Sequence, residues 1–310
     1  MKKVFPIFLC LLLCSSCIRD DLSLCPGKMY FHFTYLYGGV NRFFEQQKAD
    51  MTFHFYHVGE TMKYREMTVM RRDIGPQQPF IFEKTPSDID SVEIISWSAD
   101  SAIEYVGTPR TPKGEGYVQL KEMTEGSGIC LPVDDLFYGY VKLDARRRLD
   151  RNHIIMNYVR PVCRIRITMV PSTLQNRDST SPGAPPCAGS TLLPGAEDYA
   201  FHVHGTPDRI DDNTVPGGRG IILSPRCAYQ ASSGNIVTGW FGAFPTLDGE
   251  CLKVNVYIRD RQVAVFDCAP LELASKAGNF YDLVIDGRYI RPQMEVKVNG
   301  WKIATVMSEM

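Results

Sequence analysis

The chain has 310 residues, of which 44% are hydrophobic and 22% charged, so it is long enough to bury one large or two medium cores. This composition excludes a disordered, collagen-like or coiled-coil protein. A formal charge of -1 excludes the global basic field that draws proteins to nucleic acid. Ten cysteines are the unusual feature, and their positions decide what they mean.

The first sixteen residues have the pattern of a secretory signal peptide. Lys2 and Lys3 form its positive end, and residues 4–13 form its apolar segment. Because a membrane-spanning helix needs about 20 apolar residues, this segment is too short to be one. We therefore predict that residues 1–16 are removed on export.

Cys17 follows two small residues, Ser15 and Ser16, in a pattern that resembles a bacterial lipobox. Cys14 stands where leucine is commonest, which departs from the usual motif. The pattern predicts that Cys17 becomes the first mature residue and carries a diacylglycerol and a fatty acyl chain such as palmitate. Acyl chains contribute about 0.8 kcal/mol per buried CH2, so several of them anchor a protein stably in lipid. An ordinary leader followed by an incidental cysteine is the alternative.

Residues 17–27 are predicted to be a lipidated tether. Arg19, Asp20 and Asp21 resemble the surface-export signal of Bacteroidetes lipoproteins, which predicts a lipid-anchored protein on the outer face of the outer membrane. The alternative is a solvated tether without a targeting role. Loss of the leader removes two lysines and no acidic residue, leaving 32 basic and 35 acidic side chains. We expect no nucleic-acid partner.

After the tether, apolar residues alternate with a period of two, which is typical of half-buried β-strands. Residues 29–37, 51–58, 91–97 and 162–170 show this alternation, and Gly/Pro clusters separate the segments. Only residues 40–48 and 271–277 suggest short helices. The pattern predicts an all-β protein of two tandem antiparallel β-sandwich domains, residues 28–150 and 151–310.

No sequence motif indicates catalysis. His202 and His204 are the best metal candidates, because residues two apart on a strand face the same way, but no third ligand is evident and we expect both to face solvent. The adjacent acids at 134–135 and 211–212 are interpreted as turn or loop residues. The glycines of residues 217–220 lack the helix and lysine of a phosphate loop and are expected to form a β-turn.

We accordingly predict no enzyme activity, no metal and no cofactor other than the lipid. Seven cysteines remain in the mature chain besides Cys17, and their pairing is open.

Several segments, in their order along the chain, together resemble the FimB-type fimbrial anchor proteins of Bacteroidetes, the fimbrillin-A-associated anchor family. The mature start at residues 17–26 precedes an aromatic first strand and a second strand at residues 53–57. Residues 135–139 and 157–167 resemble the end of the first domain and the start of the second. Residues 279–285 and 298–301 match the terminal strands. The likeness covers nearly the whole chain.

The resemblance implies transthyretin-like sandwiches and a non-enzymatic role in cell adhesion. Members of this family are lipid-tethered in the outer membrane, hold the fimbrial shaft on the cell and limit its length. Their expected partners are fimbrillin-type pilin subunits, which join by strand exchange, a form of β-augmentation. A surface glycan-binding lipoprotein and a fimbrial tip or minor subunit are the alternatives.

The candidate segment for strand exchange lies at the C-terminus, where Met294, Val296, Val298 and Trp301 follow the period of a strand. An intramolecular last strand of the second domain would have the same pattern. Both interpretations stay open on the sequence alone.

Overall fold

The computed structural model describes residues 28–83, 91–99, 101–107, 113, 115–143, 153–171, 196–289 and 291–309. Within these residues the chain is almost entirely β-structure, as the alternation predicts. The predicted leader, Cys17 and the export signal Arg19, Asp20 and Asp21 lie outside the described residues. Among the described helices, none is long and apolar enough to cross a membrane.

The helical elements are short. Helix α1 spans Phe43–Gln46, and three 3-10 turns span Arg71–Asp73, Ala196–Asp198 and Ala269–Leu271. Two of these four lie inside or beside the segments for which the sequence suggested helices. The remaining elements are strands.

The strands of the first half, in chain order, are β1 Lys28–Thr34, β2 Leu36–Tyr37, β3 Val40–Asn41, β4 Met51–His57, β5 Lys63–Val69, β6 Phe80–Glu83, β7 Val92–Ala99, β8 Ile103–Val106, β9 Tyr117–Leu120, β10 Ile129–Cys130, β11 Leu136–Leu143 and β12 His153–Val159. Those of the second half are β13 Cys163–Val170, β14 Tyr199–Asp211, β15 Pro216–Leu223, β16 Ala228–Gln230, β17 Asn235–Val237, β18 Phe241–Ala243, β19 Lys253–Ile258, β20 Arg261–Asp267, β21 Phe280–Asp286, β22 Gln293–Val298 and β23 Trp301–Met307.

The first sandwich is one seven-stranded sheet, ordered β5-β4-β7-β11-β12-β1-β6, that folds onto itself. Phe31 of β1 and Phe53 of β4 are four strand spacings apart, about 19 Å in a flat sheet. Their ring centroids lie only 6.0 Å apart. The sheet bends between β11 and β12, which share only two residue pairs. There Gly139 packs on Tyr158, and a Cβ on the glycine would lie 2.9 Å from the tyrosine ring.

Aromatic side chains fill the space that this fold encloses. The inward residues of β1 and β4 are buried, and Phe43 of α1 is fully buried in the same cluster. Phe43 contacts Tyr158 with a ring separation of 4.6 Å. Each buried aromatic ring removes a large apolar area from water, so this cluster supplies much of the stability of the first sandwich.

The second sandwich consists of two sheets. One has the order β10-β15-β14-β19-β20, with the β8-β9 hairpin attached to β14. The other has the order β16-β17-β13-β21-β22-β23, with β18 also paired to β13. In β13, Cys163, Ile165, Ile167 and Met169 are all buried, as the alternation of this segment predicts.

The predicted domain boundary at residue 150 does not separate the strands of the two sandwiches. Strand β12 lies after that position but pairs with β1 and β11 of the first sandwich. Strands β8, β9 and β10 lie before it but pair with the second sandwich. The reason is that alternation identifies a strand without identifying its partner.

Two further expectations need correction. Among the described strands, which are mostly antiparallel, three pairings are parallel: β1 with β12, β10 with β15, and β13 with β21. The glycines of residues 217–220 form part of strand β15 instead of a turn. Gly218 there has a φ of +88° and packs against Asp208, so the position favours glycine.

A buried carboxylate joins the two sandwiches on the outer face of β4 and β7. Asp212 accepts hydrogen bonds from Trp97 Nε1 at 3.1 Å and from the Tyr105 hydroxyl at 3.2 Å. Burial, with the charge of Asp212 as a second cause, raises the pKa of Tyr105. Gly116 leaves room for this contact, because a Cβ would lie 2.5 Å from the Asp212 carboxylate. The predicted loop acid is therefore a structural residue.

His54 lies fully buried beside this contact, with its ring centroid 4.2 Å from that of Tyr105. Neither ring nitrogen has a hydrogen-bond partner among the described residues, and Lys63 and Glu66 of β5 are the charged groups nearby. Burial and then Lys63 lower the pKa of His54 from 6.5 to about 4. The folded chain thus keeps this imidazole neutral.

We predict that the protein loses stability as the pH falls from 6.5 to about 4. The unfolded chain binds the proton of His54 at a higher pH than the folded chain, so this one group removes about 3 kcal/mol over that window. His54→Phe should reduce the slope of unfolding free energy against pH, measured by urea denaturation at several pH values. Equal slopes in parent and His54→Phe would contradict this account.

Candidate functional site at an open strand edge

The structure separates the four residues of the predicted exchange segment. Met294 and Val296 are fully buried in the core of the second sandwich, and Val298 packs partly against that core. Their strand, β22, pairs with β21 on one side and β23 on the other. Trp301 begins β23 and is 78% exposed. The first three therefore lie on an intramolecular strand, and only Trp301 is presented at the surface.

Strand β23 ends its sheet and leaves one side open. Among the described residues, the C-terminal end of its outer side lies beside β20, and the one backbone pairing there is a bridge between Glu309 and Val265. The N–H of Ser308 donates to Pro292, next to β22, whereas the N–H of Glu309 donates to Val265. Thr305 and Met307 have the parity of Glu309, so their N–H groups point away from β22. An extended chain could hydrogen-bond there.

Exposed apolar side chains follow the same edge. Trp301, Ile303 and Met307 are all exposed large hydrophobic residues. Ile303 is the extra residue of a β-bulge, which interrupts the register between Val296 and Lys297 of β22. An unpaired edge with apolar side chains is a template for pairing with a second chain.

Charged residues restrict how this edge can be used. Glu295 of β22 forms ion pairs with Lys297 at 3.1 Å and with Lys302 of β23. These ion pairs with the two lysines lower the pKa of Glu295. Bulges and lysines are devices that keep edge strands from indiscriminate pairing. The edge of β23 therefore has unpaired backbone groups, together with a bulge and lysines that disfavour pairing with an arbitrary strand.

A buried ion pair lies where the first sandwich joins the second. Arg160, between β12 and β13, donates two hydrogen bonds to Asp135 from Nε and from one terminal nitrogen, both at 2.8 Å. Arg164 approaches the same carboxylate at 3.4 Å. Burial raises the pKa of Asp135, and the two arginines oppose that shift. The carboxylate is thus desolvated and held by charge.

Aromatic rings surround the Arg160 guanidinium. It lies 5.2 Å from the ring centroid of Tyr35 and 5.4 Å from that of Phe137, both in the first sandwich. It lies 5.9 Å from the ring centroid of Phe280, at the start of β21 in the second sandwich. The hairpin of β2 and β3 adds Tyr37, whose ring centroid is 5.8 Å from that of Phe280. One side chain therefore contacts both sandwiches.

A second arginine continues this network along β13. Arg166 forms a bidentate pair with Asp282 of β21, with N–O distances of 3.0 and 2.6 Å. Its guanidinium also lies 4.6 Å from the ring centroid of Trp240. This pair crosses the parallel contact of β13 with β21, so it fixes the sheet that carries β22 and β23.

The two predicted metal candidates do not form a metal site in the described chain. His202 packs on Tyr257, with 4.6 Å between ring centroids, and His204 contacts Asn255 at 3.1 Å. Both are half-buried, and burial lowers the pKa of each. No group of three metal-ligating side chains occurs among the described residues.

Sequence reasoning missed Asp135 and Arg160 as a pair. Each lies in a segment that carries the family resemblance, yet neither spacing nor alternation places them together. The available signal was the apolar setting of Arg160, between Val159 and Pro161, because a charged side chain in such a run needs a partner. Identifying that partner requires the topology.

One protein family matches this chain over most of its length. The model of the fimbrillin-A associated anchor proteins Mfa1 and Mfa2 matches residues 22–306. Among curated protein sequences, none matches the chain significantly.

Solved structures share the fold at low sequence identity. A candidate adhesin from Bacteroides ovatus is 13% identical with a TM-score of 0.62, over 92% of this chain and 96% of that one. A candidate polysaccharide-binding protein from Bacteroides thetaiotaomicron is 11% identical with a TM-score of 0.60, over 89% and 97%. The fimbrial anchor protein Mfa2 from Porphyromonas gingivalis is 11% identical with a TM-score of 0.54, over 91% and 100%.

We predict that Asp135→Ala costs about 3–5 kcal/mol of unfolding free energy, because it leaves the Arg160 charge buried without its carboxylate. Asp286→Ala is the matched control. It breaks the exposed pair of Asp286 with Arg288 and should cost less than about 1 kcal/mol. Urea denaturation measures both. The double variant Asp135→Ala, Arg160→Met should recover part of the loss. A cost for Asp135→Ala no larger than that of the control would refute the structural role of this pair.

Proposed function

Because the chain belongs to the family of fimbrillin-A associated anchor proteins, we propose that it is an outer-membrane lipoprotein that holds a fimbrium on the cell surface. In this proposal the lipid on Cys17 supplies the attachment to the membrane, and β23 supplies the attachment to the fimbrium. The open outer edge of β23 is the observation that supports the second part most directly. No catalytic step is part of the proposal.

The partner proposed for this edge is an extended segment of a fimbrillin-type pilin subunit. Backbone hydrogen bonds to the outward N–H and C=O groups of Thr305 and Met307 would supply affinity. The exposed side chains of Trp301 and Ile303 would supply the register, because a partner strand must place apolar side chains against them. Lys302 and the bulge would disfavour partners of other sequence.

The strand-exchange proposal differs from the sequence-based one in the strand that it uses. Met294 and Val296 are core residues, so release of β22 would expose them and remove two pairings from the sheet. Addition of a pilin strand to β23 leaves the sandwich intact. We therefore propose Trp301 and its strand, with β22 as the support, for contact with the pilin.

The proposed lipid site and the proposed pilin contact lie near opposite ends of the chain. The predicted tether, residues 17–27, precedes β1 in the first sandwich, and β23 closes the second. Along the chain, the second sandwich therefore follows the first, counted from the proposed lipid site. This order fits a protein that holds a shaft away from the membrane.

Cys17→Ala should release the protein from membranes, since the anchoring acyl chains have no other proposed attachment. Fractionation of cells and palmitate labelling measure the change. Cys25→Ala, at a cysteine outside the lipobox, is the matched control and should remain membrane-bound and labelled. Continued membrane association of the Cys17→Ala variant would show that Cys17 is not the lipid anchor.

Thr305→Pro should abolish the retention of pilin while the protein itself stays folded and membrane-bound. Proline removes an outward N–H and is tolerated on edge strands. Thr305→Val keeps the N–H and should retain pilin at the parent level. Co-purification of pilin with each variant from membranes gives the result. Unchanged retention by Thr305→Pro would show that this edge is not the contact, and retention of glycan without pilin would favour the alternative of glycan binding.

A further inference from the structure

The outer face of β1, β6 and β12 presents apolar side chains to solvent. In β12 the residues alternate strictly between buried and exposed, so Ile154 and Met156 fill the core while Ile155 and Val159 face outward. Ile155 is 60% exposed, and Ile81 of β6 is 49% exposed. Isolated exposed apolar residues are ordinary on proteins. Here they recur on adjacent strands of one face.

The pairing registers place these residues in rows across the three strands. Ile81 pairs with Tyr30, which in turn pairs with His153. The next row pairs His32 with Ile155. We call these five residues the outer patch. They are neighbours on one side of a continuous sheet.

The polar members of the outer patch are amphipathic rings held in a fixed arrangement. The rings of Tyr30 and His153 stack with centroids 5.0 Å apart, and those of His32 and His153 with centroids 5.1 Å apart. A hydrogen bond of 2.8 Å joins His32 Nε2 to His153 Nδ1. Rings with an apolar body and a polar edge are suited to the boundary between lipid and water.

The position of the tether limits what the outer patch can contact. Lys28 is the first residue of β1 and stands two positions before Tyr30. Lys28 follows Cys17 by eleven positions, and an extended chain of that length spans at most about 40 Å. A lipid on Cys17 would therefore keep the start of β1 near the membrane surface.

The second sandwich lies on the other side of the first from the outer patch, because Tyr56 of β4 and Trp97 of β7 pack into its core. Strand β12 runs parallel to β1, so its start at His153 lies at the tether end and its exit at Val159 lies at the opposite end. The chain then passes through Arg160 into β13 of the second sandwich. The outer patch is at the tether end of the first sandwich, and the β23 edge is in the second.

We propose that the outer patch lies against the lipid headgroup layer of the membrane that holds Cys17. The inference rests on the proposed lipidation of Cys17 and adds the orientation of the protein on that membrane. Ile81 and Ile155 enter the boundary between headgroups and acyl chains, and Tyr30, His32 and His153 lie among the headgroups. This second contact removes the free rotation that a single flexible tether allows.

The test uses the lipidated mature protein in vesicles whose acyl chains carry bromine, which quenches nearby tryptophan. Ile155→Trp places a reporter in the outer patch. Val263→Trp, at an exposed position on β20 of the second sandwich, is the matched control. Trp97, Trp240 and Trp301 are common to both variants, and the parent spectrum is subtracted. Circular dichroism checks that each variant retains its β-structure.

We expect quenching and a blue shift for Ile155→Trp and neither for Val263→Trp. An unquenched Ile155→Trp, or equal quenching of the two, would overturn the proposed orientation. A second preparation replaces Cys17 with an N-terminal hexahistidine on vesicles that contain a nickel-chelating lipid. This preparation holds the same tether without acylation. If only the Cys17 proposal is wrong, Ile155→Trp is still quenched in this preparation. If the orientation is wrong, Ile155→Trp is not quenched here either.

Discussion

The pairing of Asp135 with Arg160 is the interaction on which the rest of the structure depends. The arginine lies in the short connection between β12, the last strand of the first sandwich, and β13, which begins the sheet of the second that carries β22 and β23. Its guanidinium is buried, so the carboxylate and the surrounding rings of Tyr35, Phe137 and Phe280 must be in place together. Such a pair contributes less through net energy than through specificity, because a misplaced partner leaves a charge buried without compensation. The junction therefore has one favourable geometry.

Two other features act with this pair to make the sandwiches one unit. Strands β8, β9 and β10 cross from the first half of the sequence into the second sandwich, and Tyr56, Ile95 and Trp97 of the first sheet belong to the core of the second. Asp212 then joins the indole of Trp97 to the hydroxyl of Tyr105. For a protein of an anchor family, this arrangement has a mechanical consequence. A load applied at β23 would reach β1 through packed sheets and ion pairs instead of through a flexible linker.

Alternation in the sequence was sufficient to predict the all-β fold and the inward residues of β13, because period-two burial is a local property of a strand. Partner choice is not local, so β12 and the β8-β10 segment could not be assigned to their sheets. The same limit hid the burial of Asp135 and Asp212, whose neighbours come from distant positions. The predicted exchange segment covers two strands, because Met294 and Val296 lie in β22 while Trp301 begins β23 at the open edge. The lipobox and export signal are sequence patterns, and Cys17, Arg19, Asp20 and Asp21 remain predictions.

The shared core and the ion pairs at the junction predict that the two sandwiches unfold as a single cooperative body. Differential scanning calorimetry of the mature chain tests it most directly, because cooperativity appears as agreement between the calorimetric and van't Hoff enthalpies of unfolding. We expect one transition in which the two enthalpies agree. Two resolved transitions, or a calorimetric enthalpy well above the van't Hoff value, would show that the sandwiches unfold independently and would contradict the account.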